Sequence, residues 1–211
     1  MSILPTALLQ KHWPHADSAV VNAIVLHADE VFSTYELTTP LRRAHFMGQI
    51  SVECGNGTVF VENMNYSAQR MCVVWPKRFP TIESAIPYAH HPRELANKVY
   101  NGRMGNRPDT DDGWNFRGRG MIQTTGHDGY LRLSTLVSMD LIEHPDLLTE
   151  PNNLLPFACA EFVNYNGLLQ ACDANDYEKV TRLINGGLTD LAARVATTKS
   201  WLGDFNRGPI G

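Results

Sequence analysis

The stretch TPLRRAHFMGQISVECG, residues 39–55, decides the fold. Thr39 has the hydroxyl that caps a helix, and Pro40 follows at the position where a missing N–H costs nothing. Leu41, Ala44, Met47 and Ile50 then recur on one side, as the buried face of an α-helix requires. Gly55 ends the pattern just beyond Glu53 and Cys54. The spacing predicts a helix of about 14 residues, roughly 21 Å long, with a glutamate at its far end.

Working outward, Val21, Ile24, Val25, Ala28, Val31, Phe32 and Tyr35 predict an amphipathic helix before it. After it, Ser67 can cap a helix broken by Pro76, and Pro92 opens another that carries Leu95, Ala96 and Val99. Helical patterns return at 130–137, 152–163, 177–184 and 188–205, with Asn185-Gly186-Gly187 separating the last two. Residues 101–119 lose the period and are rich in glycine and aspartate, so they predict a loop. The one strand candidate is 58–62, where Val59 and Val61 alternate with Phe60 and Glu62. The class is mainly α.

The 211 residues hold 18 Lys+Arg against 22 Asp+Glu, a net charge of −4, and 43% are hydrophobic. That suits one compact domain, or one domain split into two lobes by a cleft. The acidic balance argues against nucleic acid as partner. The apolar runs are too short for stable membrane insertion. No secretory signal is evident at the start. Cys54, Cys72, Cys159 and Cys172 form no CxxC pair and read as reduced thiols.

Glu53 lies at a helix C-terminus, where partial negative charge disfavours an ionised carboxylate. Burial among apolar neighbours would add to that and keep it protonated, as a general acid requires. Glu62 follows after a turn through Gly55 and Gly57, so two carboxylates can face each other, the equipment of glycoside hydrolysis. Spacing alone leaves a solvated surface acid open for both. Asn63 and Asn65 offer amides to sugar hydroxyls, and Trp114 and Phe116 offer flat faces for a pyranose, although core packing also suits the aromatics. Gln123 and Thr125 are two apart and share a side in an extended segment; a threonine hydroxyl can hold a water. No metal site is expected: His90 and His91 are adjacent, 109–113 lacks the glutamate that closes a calcium loop, and HExxH is absent. No G-x-S-x-G elbow surrounds a serine.

The sequence 44–53, AHFMGQISVE, resembles the AHFxAQxxHE helix of glycoside hydrolase family 19, and its phage endolysin branch in particular. Residues 62–67, ENMNYS, resemble that family's ENxNYS segment. Arg103-Met104-Gly105-Asn106, Trp114, Arg117 to Gly120, Gln123 and Thr125-Gly126 follow its central stretch. Ile184-Asn185-Gly186-Gly187 with Arg194 matches its INGG…R element. Val52, Gly129 and Thr189 depart from the pattern.

The resemblance implies a lysozyme-like, two-lobed α fold with a central substrate cleft and an inverting mechanism. It implies a single catalytic domain, 1–211, with an N-terminal helical part at 1–40, a family-like core at 41–200 and no separate wall-binding domain. It implies Glu53 as acid, Glu62 as base and Thr125 at the attacking water, with Asn65, Tyr66, Trp114, Gln123, Asn185 and Arg194 binding substrate. It further implies a cofactor-free, monomeric endolysin that cuts the β-1,4 bonds of peptidoglycan glycan strands. Such an enzyme waits in the host cytoplasm until the membrane is breached. A lytic transglycosylase, a chitinase acting on chitin and a noncatalytic wall-binding virion component are the rival expectations.

Overall fold

The computed structural model describes residues 2–207. Its helices are α1 (Thr6–His12), α2 (Ser18–Thr34), α3 (Pro40–Glu53), α4 (Ala68–Val74), α5 (Ile82–Ala85) and α6 (Pro92–Tyr100). They continue with α7 (Asp112–Asn115), α8 (His127–Val137), α9 (Pro151–Val163), α10 (Leu168–Asp173), α11 (Tyr177–Asn185) and α12 (Leu191–Arg207). The fold is mainly α, and no strand forms among the described residues.

The caps read from sequence are in place. Thr39 Oγ1 accepts from the Arg42 N–H at 3.2 Å, and Ser67 Oγ accepts from the Arg70 N–H at 3.2 Å. These contacts satisfy backbone donors that a first helical turn leaves free. The α3 stripe, however, understates what is buried. Every residue from Arg43 to Ser51 is buried, polar ones included, so α3 is enclosed on all sides.

Buried polar groups need partners, and α3 finds them on distant elements. Ser51 Oγ accepts from Trp13 Nε1 at 2.8 Å and from Trp201 Nε1 at 3.2 Å. Gln49 Nε2 donates to Thr181 Oγ1 at 3.2 Å, and His45 Nε2 pairs with Asn175 Oδ1 at 3.0 Å. The first forty residues also belong to this core: Leu4, Leu9, Trp13, Ile24, Phe32 and Leu37 pack in the cluster that surrounds α3.

A second, smaller cluster is drawn from 64–99 alone and includes Met64, Met71, Phe79 and Leu95. A third gathers Phe116, Tyr130, Leu133, Leu148 and Phe157. Glu53 ends a helix of the first cluster, and Glu62 just precedes the first residue of the second.

Two expectations need correction. Residues 58–62 are not a strand: only Val61 makes a bridge, to Arg119, and both valines stay exposed, so the alternation buries no face. The glycine-rich loop contains α7 and is held by polar side chains of its own and of α6. Asn101 Oδ1 accepts from Gly113 N and Asn97 Oδ1 from Trp114 N, both at 2.8 Å. Asp111 pairs with Arg93, and Asp112 receives Arg107 through N, Nε and Nη2 at 2.8–2.9 Å.

The Arg107 contacts hold the Asp112 carboxyl at about 2, below the usual carboxylate range. A folded-state value below the unfolded one stabilises the protein above pH 4 or so, and that contribution fades as pH falls toward 2. Arg107 is largely exposed, which screens the pair. Asp112→Asn should therefore cost about 1–2 kcal/mol at pH 7, and the gap to wild type should shrink to about a third of that by pH 2.5. Urea midpoints at both pH values measure this; a gap independent of pH would refute it.

Candidate active site

Glu53 is the last residue of α3, and Arg194 reaches it from the first turn of α12. The Arg194 guanidinium, 2% exposed, donates Nη2 to Glu53 Oε1 and Nη1 to Gln49 Oε1, both at 2.7 Å. Its Nε donates to the Thr189 carbonyl at 3.0 Å. Glu53 and Gln49 stand one turn apart on the same face, so one planar fork serves both. The neighbour that meets the Glu53 carboxyl is thus a guanidinium rather than an apolar side chain. Among the described residues only Oε1 of Glu53 is hydrogen-bonded.

After α3 the chain reverses at once. The N–H groups of Thr58 and Val59 both reach the Cys54 carbonyl, at 3.0 and 2.9 Å. From Val59 to Glu62 the chain can span no more than about 10 Å, which keeps Glu62 near the helix end.

Three short backbone segments then lie side by side. Val61 bridges to Arg119, and Arg119 bridges to Thr124. The Glu62 N–H donates to the Gly118 carbonyl at 2.8 Å, and the Gly120 N–H to the Phe60 carbonyl at 2.9 Å. The Glu62 side chain returns to the same glycine: Oε2 accepts from the Gly118 N–H at 3.2 Å, while Oε1 accepts from the Tyr100 hydroxyl at 2.6 Å. Burial, and then the adjacent Glu62 carboxylate, pushes the Tyr100 phenol upward, so it remains a donor.

Gly118 is where the candidate residues meet. A side chain there would find Gln123 Oε1 at 2.9 Å, Glu62 Cβ at 3.3 Å and Thr125 Oγ1 at 3.4 Å. The absence of a Cβ lets these three groups share one point. Gln123 and Thr125 do lie on the same side, although through a tight turn with Gln123 at φ +60° rather than an extended run. Gln123 Nε2 folds back onto the Gly120 carbonyl at 2.9 Å. Thr125 spends its one proton on the Gln123 carbonyl at 2.8 Å. Its oxygen is then an acceptor for a water, not a donor to one.

The other expected residues are more scattered. Arg117 lies over the Trp114 ring at 3.7 Å and donates to its carbonyl, so that ring face is taken by a guanidinium. Phe116 is buried in the third cluster. Asn65 is exposed and pairs with His90, and Tyr66 packs on Trp75. Asn185 is exposed at the end of α11. No hydrogen bond joins Asn65, Tyr66, Trp114 or Asn185 to either glutamate among the described residues.

Sequence reading gave no role to Gln49, Tyr100, Tyr165 or Glu161. Gln49 had a signal, its spacing of four from Glu53. Tyr100, 38 residues from Glu62, had none. Burial, and then the charges of Glu161 and Glu53, push the Tyr165 phenol upward.

A scan against protein-family models finds no match. Among curated proteins, a glycosyl hydrolase family 19 domain-containing protein of Haemophilus influenzae is 34% identical over 185 residues, covering 87% of this chain and 88% of that one. Solved structures of similar fold include a bacterial family 19 chitinase, with TM-score 0.62, 15% identity and coverage of 99% of this chain and 98% of that one. Chitinase C from Streptomyces griseus HUT6037 gives TM-score 0.58 at 17% identity, covering 97% of this chain and 76% of that one.

Proposed function

The chain belongs to glycoside hydrolase family 19, and from that premise we propose that it hydrolyses the β-1,4 bonds of peptidoglycan glycan by an inverting mechanism. Glu53 is the acid and Glu62 the base. The convergence of Glu62, Gln123 and Thr125 on Gly118 is the observation that carries this reading.

A water held there donates one hydrogen to the Glu62 carboxylate and the other to Thr125 Oγ1, which directs its lone pair outward toward an anomeric carbon. As the carbon–oxygen bond of the glycoside breaks, Glu53 Oε2 delivers its proton to the leaving oxygen, and Glu62 receives the proton of the attacking water. Arg194 keeps Oε1 fixed so that Oε2 presents the proton. Such a reaction requires carboxyl groups about 6.5–9.5 Å apart, leaving room for the water. A transglycosylase needs no base, so the hydrogen bonds that orient Glu62 favour hydrolysis.

The role we assign is that of an endolysin, released from the cytoplasm to the wall after the membrane is breached. The likeness of 44–53 and 62–67 to the phage branch supports it. No helix among the described residues is long and apolar enough to cross a membrane. Digestion of purified peptidoglycan tests the reaction. Reducing ends of inverted anomeric configuration are expected. Anhydro ends would assign a transglycosylase, cleavage confined to chitin a chitinase, and binding without cleavage a wall-binding protein.

Tyr100→Phe keeps the ring and removes the hydroxyl that holds Glu62. A hydrogen bond to a charged group contributes about 1.5–3 kcal/mol, so turnover should fall on the order of tenfold or more with KM little changed. Steady-state kinetics on soluble wall fragments read this; wild-type turnover would show that Tyr100 does not orient the base.

A further inference from the structure

Glu161, in α9, is a buried carboxylate that the reaction above does not use: it is 3% exposed and belongs to neither glutamate pair. Its Oε2 accepts from the hydroxyl of Thr124, which is itself buried, and its Oε1 accepts from Arg132 Nη2 at 2.9 Å. Thr124 stands between Gln123 and Thr125 and points inward, away from the point at Gly118 where its two neighbours meet.

We infer that Glu161 is a positioning residue, which anchors Thr124 from inside and so fixes Gln123 and Thr125 against Glu62. The inference rests on the proposed role of that cluster.

The route is short and continuous. Thr124 exchanges both backbone hydrogen bonds with Arg119, at 2.9 and 3.1 Å. Arg119 follows Gly118, whose N–H and carbonyl hold Glu62. A shift of Thr124 therefore moves the water-holding hydroxyl and the base together. The turn also carries strain, because Gln123 has φ +60°, a conformation that costs a non-glycine residue of order 1–3 kcal/mol and persists only when its surroundings impose it. Thr124 is the adjacent residue with a buried side-chain anchor. Beside it lies a small cavity of about 10 Å³ lined by Met121, Ile122, Leu133, Phe157 and Glu161. The Glu161 carboxylate is the side-chain contact that holds the turn from its inner side.

A purely architectural role, tying α8 to α9 through Arg132, would lower stability and leave turnover per folded molecule unchanged. Thr124→Val, Thr124→Ser and Glu161→Ala separate the two. Misplacement of a reacting group by an ångström can cost up to about a hundredfold. Thr124→Val and Glu161→Ala should accordingly lose on the order of tenfold or more in kcat with KM within about twofold, while Thr124→Ser, which keeps the hydroxyl, should stay within about threefold of wild type.

Amide hydrogen exchange provides a readout independent of cleavage. The N–H groups of Glu62 and Arg119 should exchange faster in Thr124→Val and Glu161→Ala, with α3 unchanged. Wild-type kcat in Thr124→Val, a Thr124→Ser variant as impaired as Thr124→Val, or unaltered exchange at both amides would each overturn the inference. If the wild-type protein cleaves no glycan, the proposed function fails, and exchange alone decides the anchoring role.

Discussion

Glu53→Gln is expected to reduce glycan cleavage by about a thousandfold or more while the protein stays folded, because a positioned general acid contributes on the order of 10²–10⁴. The amide retains an oxygen that can accept from Arg194 Nη2, which now lies 2.7 Å from Glu53 Oε1. Only the transferable proton is lost. Glu53→Ala is the less informative variant. It strips the buried Arg194 of its only carboxylate partner among the described residues, and an uncompensated buried charge costs about 3–5 kcal/mol. Activity lost in that variant mixes chemistry with unfolding. The measurements are kcat on peptidoglycan fragments and a urea midpoint for each variant. A Gln variant with more than a tenth of wild-type turnover would remove Glu53 from the acid role.

Gly48→Ala should cost about 3 kcal/mol or more, a sign opposite to what helix propensity predicts. In an exposed helix that exchange gains about 1 kcal/mol. At position 48 the new methyl would lie 2.9 Å from Thr198 Cα and closer still to Thr198 Oγ1, so α3 and α12 would have to move apart. Overpacking of a closed core costs about 1–3 kcal/mol and more when backbone must shift. Because α12 also carries Arg194, parting the helices should loosen the grip on Glu53. A urea midpoint at or above wild type would contradict the close approach. Thr198→Ala added to Gly48→Ala should recover part of the loss, since it removes the nearest atom.

Much of this was legible from short stretches. Thr39, Pro40 and Gly55 bound α3, and Ser67 starts α4, because caps and stops act within one turn of their own residue. Glu53, Glu62, Gln123 and Thr125 drew notice through residue type and spacing. The strand at 58–62 misled because two-residue alternation signals a strand only where one face is buried, and there neither valine is. The neighbour of Glu53 was not legible for a related reason. A helix end predicts the local field, but the group that answers it lies 141 residues away in Arg194.

By itself, then, the sequence determined a mainly helical chain, where several of its longer helices start or stop, and which carboxylates and hydroxyls were available for chemistry. Tertiary structure alone decided their partners: Arg194 and Gln49 at Glu53, Tyr100 and Gly118 at Glu62, Glu161 behind Thr124. The division is physical. Capping, turn geometry and periodic burial are set by neighbours within a few residues. A hydrogen bond between residues far apart in the chain forms only after the intervening segments have packed, and no local pattern encodes which distant group will arrive.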